Sequence, residues 1–510
     1  MARFVVLAQK RSRSGYEPGT WILRPLSVDD DGFRTTWRLT LSTIHGQIEI
    51  GSIKILKNGQ RAGRTPLDAE FDELGPAYAS LGAEIDFYIR LRDAAPTSVR
   101  TVLKALGDIA TDIERRRRFE NEPGFAASLV RFSPAKAALE EAGSLLDDAA
   151  PGPAPASAPD QDLIFHTTAG GVPFTISFDL DASAEIPSRV CVVIGPNGSG
   201  KTRLLANLAL VAFDPDSAEG AAQWGRLEAP IAFSRVLAFS YSAFDEFDVP
   251  AQTKAEREAF VRGRSGLGYR YFGLRDLTSQ PTSTRESAGL KTARQIRDEF
   301  HSACRAALDE PDDLLTVTVD RLFREPSFAA TGSLSGAADP AGLLQLLFDT
   351  FRRASTGHKF VLLMTVQLAA WLRRDTLVLI DEPESHLHPP LLASFLMILR
   401  QMLGAREAHA IIATHSPFIV QETPARYVRI ISRHANRTSI APPSSETYGE
   451  DIGTISREVF RLNSRTGEFT EVLRDLAARY SLDEIEARFP NGLSGQARAL
   501  VMAAQARRRS

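Results

Sequence analysis

The sequence has few cysteines and no long apolar run. Two cysteines, Cys191 and Cys304, occur in 510 residues, which excludes a disulfide framework and favours a reducing compartment. No window approaches the ~20 uninterrupted apolar residues that a membrane-spanning helix needs. The N-terminus has no secretory signal with a small-residue cleavage site. We therefore expect a cytosolic, cytoplasmic protein without a membrane partner.

A strong charge of one sign is also absent. The chain carries 60 basic and 63 acidic residues, for a net charge of −3. This balance provides no overall attraction to nucleic acid or to an anionic membrane, although it does not exclude a local basic patch. A composition of 43% hydrophobic and 24% charged residues is typical of globular proteins. The length predicts two to four domains.

A Pro/Ala-rich stretch, residues 147–162, has no apolar periodicity and is predicted to be a linker. It separates an N-terminal region, residues 1–146, from the rest of the chain. This region is predicted to be α+β, because residues 34–42 and 47–56 alternate polar and apolar side chains while helical patterns dominate further along. Beyond that, the sequence indicates no chemistry for the region.

One basic run in the N-terminal region, Arg115–Arg118, allows two interpretations. It could bind phosphate, or it could be the solvated end of a helix whose charges are balanced by Glu114 and Glu120. The second interpretation is favoured, because isolated charge runs are commonly surface features.

Beyond the linker, alternating strand and helix patterns predict a parallel α/β sheet over residues 163–432. A mostly helical C-terminal extension is predicted for residues 433–510. Cys191 lies in the apolar run "RVCVVIG" and is predicted to be a buried strand residue.

A phosphate-binding loop follows that apolar run. The stretch "GPNGSGKT" matches G-x-x-x-x-G-K-[ST] in full, directly after a predicted strand and before a predicted helix. Glycines allow the backbone amides to point at phosphate oxygens, and the helix N-terminus adds its positive end. The residues predicted to bind ATP are Gly195, Asn197, Gly198, Ser199, Gly200, Lys201 and Thr202. In this loop Lys201 would reach the β- and γ-phosphates, and Thr202 would ligate Mg²⁺.

A second stretch, "LVLIDEPESHLHPP", gathers five groups that could bind a metal, Asp381, Glu382, Glu384, His386 and His388. A zinc site is disfavoured, because H-E-x-x-H is absent, the histidines are two residues apart and no cysteine lies nearby. A P-loop protein instead needs an acid at the end of a buried strand. Asp381 is therefore predicted to hold Mg²⁺, and Glu382 to orient and deprotonate the attacking water.

Together these residues resemble the ABC-type ATPases, and in particular the SMC-like, RecF-like and overcoming-lysogenisation-defect (OLD) proteins. "DEPESHLHP" is similar to the form found in that branch, and the resemblance covers roughly residues 160–430. It implies an α/β fold, an ABC-type P-loop ATPase head with a parallel sheet, an antiparallel β subdomain and a helical subdomain. It also implies that His415, in "AIIATHSPF", contacts the γ-phosphate, and that the loop with His386 and His388 faces a dimer partner.

The family's signature motif has three candidates here, residues 333–337, 354–359 and 493–497. Its family position, at the start of a helix that leads into the strand before Asp381, favours the second, with Ser355, Thr356, Gly357 and His358. The resemblance implies that Ser355 and Gly357 contact ATP in trans, across a head-to-tail homodimer or higher homo-oligomer that encloses two ATP molecules.

The chain departs from the family pattern at the Q-loop. No glutamine follows the predicted strand "RVLAFS", and Ser242 and Asp245 are the candidates to replace it. A further stretch, residues 263–276, interleaves arginines with aromatic residues. Such mixtures occur at nucleic-acid surfaces, and they occur equally in ordinary strand pairs.

No nuclease motif is found. The residues after His415 contain no D-x-D pair, and no histidine follows His434 to complete an HNH site. The expected function is therefore an ATPase that regulates a separate effector, such as a nuclease, as in Septu-type bacterial anti-phage systems. The alternative is a RecF- or SMC-like ATPase of DNA repair or recombination that binds DNA itself.

Overall fold

The computed structural model describes residues 2–7, 16–146, 162–169, 171–181, 186–229, 231–242, 247–251, 257, 260, 268–277, 289–310, 312–329, 339–434, 437–460 and 468–509. The predicted linker, apart from its last residue, lies outside these described residues.

The strands are β1 (Arg3–Val6), β2 (Thr20–Pro25), β3 (Phe33–Arg34), β4 (Thr36–Thr43), β5 (Gly46–Lys57), β6 (Gly63–Arg64), β7 (Glu70–Phe71), β8 (Tyr78–Gly82), β9 (Leu163–Ala169), β10 (Val172–Phe178), β11 (Val190–Ile194), β12 (Arg226–Leu227), β13 (Arg235–Ser240), β14 (Tyr269–Gly273), β15 (Thr376–Asp381), β16 (His409–Thr414), β17 (Val428–His434) and β18 (Arg437–Ala441).

The α-helices are α1 (Ile85–Ala94), α2 (Val99–Leu106), α3 (Ile113–Phe119), α4 (Ser133–Leu145), α5 (Lys201–Phe213), α6 (Ala218–Gln223), α7 (Ala293–Leu308), α8 (Leu314–Arg324), α9 (Pro326–Ala329), α10 (Pro340–Arg353), α11 (Thr356–Trp371), α12 (Pro389–Ala405), α13 (Pro417–Gln421), α14 (Ile452–Phe460), α15 (Glu468–Arg479), α16 (Leu482–Glu486) and α17 (Gly495–Arg509).

The N-terminal region forms a six-stranded sheet in the order β7-β1-β2-β4-β5-β8, with helices α1 to α4 packed against it. Its longest pairing is the antiparallel one between β4 and β5, the two strands that the alternating patterns predict. Trp37, Leu39 and Leu41 of β4 are buried in the core, as expected for a strand that presents every second residue to one face.

The N-terminal region shares buried contacts with the rest of the chain. Phe132, before α4, stacks on Phe213 at the end of α5 with ring centroids 4.6 Å apart. Farther along the interface, Asp86 of α1 accepts hydrogen bonds from Arg235 (2.6 Å) and from Arg373 (2.9 Å). The N-terminal region is thus joined to the rest of the chain by both apolar and ionic contacts.

A seven-stranded sheet in the order β14-β13-β15-β16-β11-β17-β18 forms the centre of the molecule. Its strands run parallel except for β18, which pairs antiparallel with β17. Every residue of β11, β13, β15 and β16 is buried, which explains their continuous apolar runs. Because these strands are parallel, the segments that follow β11, β15 and β16 meet at one edge of the sheet.

Two smaller parts adjoin the central sheet. A three-stranded antiparallel sheet, β10-β9-β12, lies on one side, and helices α7 to α11 form a helical lobe whose core is continuous with the parallel sheet. This arrangement confirms the predicted α/β fold with a parallel sheet, an antiparallel β subdomain and a helical subdomain, and the preceding α+β region. The central sheet extends to β18, past residue 432, and the domain boundaries themselves stay predictions.

Candidate nucleotide-binding and catalytic site

The predicted phosphate-binding loop joins β11 to α5, as its sequence context requires. Gly198 and Gly200 have φ angles of +77° and +94°, which favour glycine because other side chains strain this conformation. At Gly195 a Cβ atom would lie 2.1 Å from the carbonyl oxygen of Ile431, so only glycine fits. Asn197 is exposed at the tip of the loop, and Ser199 is buried.

Lys201 is buried inside this loop. Its ammonium donates hydrogen bonds to the carbonyl oxygens of Gly195 (2.9 Å) and Pro196 (3.2 Å). Burial lowers the pKa of Lys201, and the charges of nearby carboxylates, Glu382 first among them, act in the opposite direction. A cation held in a glycine-rich loop at a helix N-terminus is suited to a polyphosphate.

The predicted magnesium ligands lie next to each other. The Thr202 hydroxyl is 3.2 Å from Oδ1 of Asp381, which is the last residue of β15 and is buried. A hydroxyl and a carboxylate are hard oxygen donors, of the type that Mg²⁺ prefers when it is shared with phosphate oxygens. The donor set therefore fits a Mg²⁺ ion that accompanies the nucleotide.

Glu382 follows Asp381 in a left-handed backbone conformation, with φ at +47°. Its amide donates a hydrogen bond to the carbonyl oxygen of Ala413, near the end of β16, at 2.9 Å. The carboxylate is partly exposed, with 29% of its side chain accessible, and lies 3.7 Å from Nδ1 of His415. The structure thus places the two predicted catalytic residues, from neighbouring strands, at the same edge of the sheet.

Glu384 is a functional candidate that the sequence-based interpretation left without a role. Its side chain is only 7% exposed, and Oε1 accepts hydrogen bonds of 2.6 Å from the Thr414 hydroxyl and from the backbone amide of His415. Nδ1 of His415 lies 3.1 Å from the same oxygen. One signal in the sequence could have pointed to Glu384. It is an acid one turn beyond Asp381, and the next predicted strand ends at His415.

Of the three signature candidates, the structure describes two. Residues 333–337 lie outside the described residues, and residues 493–497 lie at the start of α17 in the C-terminal helical cluster. Ser355 is the exposed N-cap of α11, and its hydroxyl accepts a hydrogen bond from the His358 amide. At Gly357 a Cβ atom would approach the carbonyl oxygen of His386 to 3.1 Å, so this segment packs against the turn that follows Glu382.

The side chain of His386 turns inward, while the expectation that the loop with His386 and His388 faces a dimer partner stays a prediction. Residues 383–386 form a 3-10 turn that directs His386 inward. Its Nε2 lies 3.1 Å from the Tyr241 carbonyl oxygen, and its ring lies 5.1 Å from that of Phe360. His388, by contrast, is exposed before α12.

Tyr241 occupies the position just after β13, where the missing Q-loop glutamine was sought. Its hydroxyl bonds to Oε1 of Gln367, in α11, at 2.8 Å. A cavity of about 680 Å³ lies beside it, also lined by Phe360 and His386. Tyr241 therefore links the helical lobe, through Gln367, to the turn that follows Glu382, through His386. Asp245, one of the two candidates to replace the glutamine, lies outside the described residues.

The described residues of the two basic stretches are largely engaged within the fold. Tyr269, Tyr271 and Phe272 of β14 are buried and cannot stack on bases; Arg264 lies outside the described residues. Arg115 is likewise buried, donates to the Tyr78 carbonyl oxygen and so anchors α3. Arg116 and Arg117 form ion pairs with Glu120 and Glu114, and Arg118 donates a hydrogen bond to the backbone carbonyl oxygen of Glu114.

Two searches of the described residues bear on other functions. No group of three or more His, Cys, Asp and Glu side chains arranged to hold a metal ion occurs among them. Within the same residues, no helix is both long enough and apolar enough to cross a membrane. Cys191 is buried in β11, as predicted, and burial raises the pKa of its thiol to about 12.

The chain is similar to several known proteins. Residues 344–421 match the protein family described as "AAA domain, putative AbiEii toxin, Type IV TA system", a segment that contains Ser355, Asp381, Glu382 and His415. Protein ea59 of Escherichia phage lambda is 29% identical over 499 residues, with 90% of each chain covered.

Solved structures give weaker likenesses. The SMC head domain from Thermotoga maritima is 13% identical with a TM-score of 0.27, covering 56% of this chain and 100% of that one. A putative metal-chelate type ABC transporter in an inward-facing conformation is 18% identical with a TM-score of 0.27, covering 55% and 84%.

Proposed function

We propose that this chain, which has an ABC-type P-loop ATPase core of the SMC- and RecF-like branch, hydrolyses ATP and uses that cycle to regulate a separate effector. The observation that carries the proposal is the meeting of Lys201, Thr202, Asp381 and Glu382 at one edge of the parallel sheet, where Thr202 and Asp381 are 3.2 Å apart. Each role that phosphoryl transfer to water requires has a residue there.

The roles follow from the positions of these groups. The loop amides and Lys201 bind the phosphates, and Lys201 exchanges its bonds to the Gly195 and Pro196 carbonyl oxygens for bonds to phosphate. Thr202 and Asp381 hold Mg²⁺, which neutralises charge on the β- and γ-phosphates when it is bound. Glu382 accepts a proton from the attacking water. His415, whose side chain is 42% exposed at the same edge, contacts the γ-phosphate.

A head-to-tail homodimer would complete the site. Ser355 presents its hydroxyl at the exposed N-terminus of the 16-residue helix α11, where the helix dipole favours an anion. In the proposed dimer, Ser355 and Gly357 of one protomer contact the γ-phosphate of ATP bound to the other. ATP binding would then close the dimer, and hydrolysis would open it.

The proposed effector is a separate protein, such as a nuclease, and the proposed setting is conflict between bacteria and phages. Two findings support this setting. The matched family is described by a putative AbiEii toxin and a toxin–antitoxin system, and the similar protein ea59 comes from phage lambda. The similarity to ea59 extends over nearly the whole chain, so the N-terminal region and the ATPase core are treated as one functional unit.

Nucleotide binding by Lys201→Ala tests the ATPase proposal. The variant should lose ATP binding and hydrolysis, whereas Lys104→Ala, at an exposed position of α2, should retain both. Equal hydrolysis by Lys201→Ala and the unaltered chain would refute the site assignment.

Co-expression of this chain with the proteins encoded by the neighbouring reading frames tests the effector proposal. Co-expressed with them, the unaltered chain should reduce phage plating, and Lys201→Ala should not. Equal plating for the two versions would contradict a role in anti-phage defence. A salt-sensitive, ATP-dependent gel shift with DNA alone would instead favour the repair alternative.

A further inference from the structure

The cavity beside Tyr241 extends into the helical lobe. It has a volume of about 680 Å³ and is bounded by helices α7, α10 and α11 and by the segments that follow β13 and β15. Protein interiors contain few voids larger than a water molecule, whereas pockets for small ligands commonly measure about 300–1,000 Å³. The cavity is therefore too large for a packing defect and has the size of a ligand pocket.

The walls of this cavity are mostly apolar and rich in aromatic rings. His301 of α7 and Phe348 of α10, which both line it, lie face to face with ring centroids 3.8 Å apart and an angle of 26° between the ring planes. Flat rings of this kind favour stacking against another flat, apolar surface. The apolar lining residues include Tyr241, Ile296, Phe348, Phe351, Phe360 and Leu363.

Positive charge predominates among the described residues that line the cavity. They include three cations, Arg297, Arg352 and Lys359, and one carboxylate, that of Asp349. Arg352 donates a hydrogen bond of 3.0 Å to Asp349, so these two charges balance each other. The charges of Arg297 and Lys359 are not balanced by a carboxylate of the described lining.

The ionisation of His301 is sensitive to the same charges. Burial lowers the pKa of His301, and the positive charges of Arg305 and Arg297 lower it further, while Asp298 opposes them. A negatively charged group that enters the cavity would be attracted by this excess of positive charge.

We propose that this cavity is a binding site for a small amphipathic anion, a molecule with a flat apolar body and one acidic group. The body would lie against the aromatic walls, and the acidic group would lie near Arg297 and Lys359. An uncharged apolar molecule would leave these two cations without a partner, and a purely polar anion would leave the apolar walls in contact with water. The combination of wall and charge therefore selects a ligand that has both features.

The location of the cavity connects this ligand to the catalytic residues. Tyr241 and His386 both line the cavity, and Nε2 of His386 lies 3.1 Å from the Tyr241 carbonyl oxygen. His386 belongs to the turn that directly follows Glu382. A ligand in contact with both residues would restrict movement of the helical lobe against that turn, so we expect it to slow ATP hydrolysis. This consequence rests on the proposed ATPase function, whereas binding itself does not.

Two fluorescent probes with similar aromatic bodies test the role of charge. Anilinonaphthalene sulfonate carries an acidic group, and phenylnaphthylamine does not. The full chain without nucleotide should bind each probe at a single saturable site. The double variant Arg297→Gln with Lys359→Gln should weaken binding of the sulfonate about tenfold, the scale of a hydrogen bond to a charged group, and leave binding of phenylnaphthylamine unchanged. Arg294→Gln, at an exposed position of α7 outside the cavity lining, is the matched control and should change neither.

Filling the cavity tests the location of the site. Ala293 lines the cavity from an exposed position in the first turn of α7, so Ala293→Trp should abolish the saturable binding of both probes without disturbing the core. Ala503→Trp, at an exposed position of α17, is the control and should bind both probes as the unaltered chain does. If Ala293→Trp does not fold, the charge variants still decide, because the exposed Arg297 and the half-buried Lys359 lie outside the apolar core.

Three results would overturn the binding proposal. They are no saturable binding of the sulfonate to the unaltered chain, unchanged binding by the charge variant, and equal weakening of both probes by that variant. Saturating sulfonate should also slow ATP hydrolysis by the unaltered chain and not by Ala293→Trp, and an unchanged rate in the unaltered chain would overturn the link to the catalytic turn. If the unaltered chain hydrolyses no ATP, the ATPase proposal fails, while the binding results still test the cavity.

Discussion

Thr202 and Asp381 are 179 positions apart in the chain, yet the hydroxyl of one lies 3.2 Å from a carboxylate oxygen of the other. This contact requires β11 and β15 to end at the same edge of the sheet with β16 between them. It brings together a hydroxyl and a carboxylate that jointly fit a magnesium site.

The first prediction concerns this pair. Asp381→Asn keeps the size of the side chain and removes its charge, so Mg²⁺ should no longer tighten ATP binding and hydrolysis should be lost. Titrating Mg²⁺ against a fixed ATP concentration measures the effect. Asp475→Asn, at an exposed position of α15, is the control and should bind Mg²⁺ and ATP as the unaltered chain does. An unchanged magnesium dependence in Asp381→Asn would show that Asp381 is not a ligand.

The second prediction concerns the proposed contact in trans. Lys201→Ala and Ser355→Arg should each be inactive, but their mixture should regain ATPase activity, because one site of each mixed dimer combines an intact P-loop with an intact Ser355. Mixing Lys201→Ala with Glu382→Gln should not restore activity, since both changes lie on the same protomer's half of a site. If the first mixture stays inactive, or Ser355→Arg alone is fully active, the ATP-sandwich proposal is wrong.

The third prediction concerns the joint between the N-terminal region and the ATPase sheet. Burial alone would raise the pKa of Asp86, but Arg235 and Arg373 outweigh it and lower that pKa. Asp86→Ala would leave two buried guanidiniums without this partner and should lower the free energy of unfolding by about 3–5 kcal/mol. Asp93→Ala, at a more exposed position of the same helix, should have little effect. Thermal unfolding of both variants measures the difference. Equal unfolding midpoints for Asp86→Ala and Asp93→Ala would contradict the stabilising role of Asp86.

The fourth prediction concerns pH. Burial, aided by Arg189 and opposed by the hydrogen bond that Nε2–H donates to the Leu180 carbonyl oxygen, lowers the pKa of His409 to about 4. The unfolded chain binds this proton near pH 6.5, so the stabilisation is complete above that pH and is lost as pH falls toward 4. At pH 5 the loss should be about 2 kcal/mol.

Replacing the histidine with a side chain that does not titrate tests this assignment. His409→Gln should reduce the difference between the thermal unfolding midpoints at pH 7.5 and pH 5. His301→Gln, at a half-buried position of α7, should reduce that difference less. The same pH dependence in His409→Gln and in the unaltered chain would assign the effect to other groups.

The features that could be predicted from the sequence depend on residues that lie close together in the chain. The P-loop could be identified because the strand, the loop and the helix are contiguous, and Asp381 because it ends an apolar run. The Glu384–His415 contact could not be predicted, because it depends on β15 lying beside β16 after the chain has passed through α12. The Asp86–Arg373 pair, 287 positions apart, likewise depends on how two sheets dock.

The inward orientation of the His386 side chain could not be predicted either. The resemblance placed this residue on an outer loop, but the 3-10 turn after Glu382 rotates its side chain toward Tyr241. The backbone of that turn follows from the left-handed conformation of Glu382, which no feature of the surrounding sequence indicates.

The most direct test of the central claim is single-turnover hydrolysis of Mg²⁺-ATP by Glu382→Gln. The account predicts that this variant binds ATP about as tightly as the unaltered chain and hydrolyses it about 10²–10⁴-fold more slowly, the usual contribution of a general base. Hydrolysis by Glu382→Gln at the unaltered rate would contradict the claim that this edge of the sheet is an ATPase site.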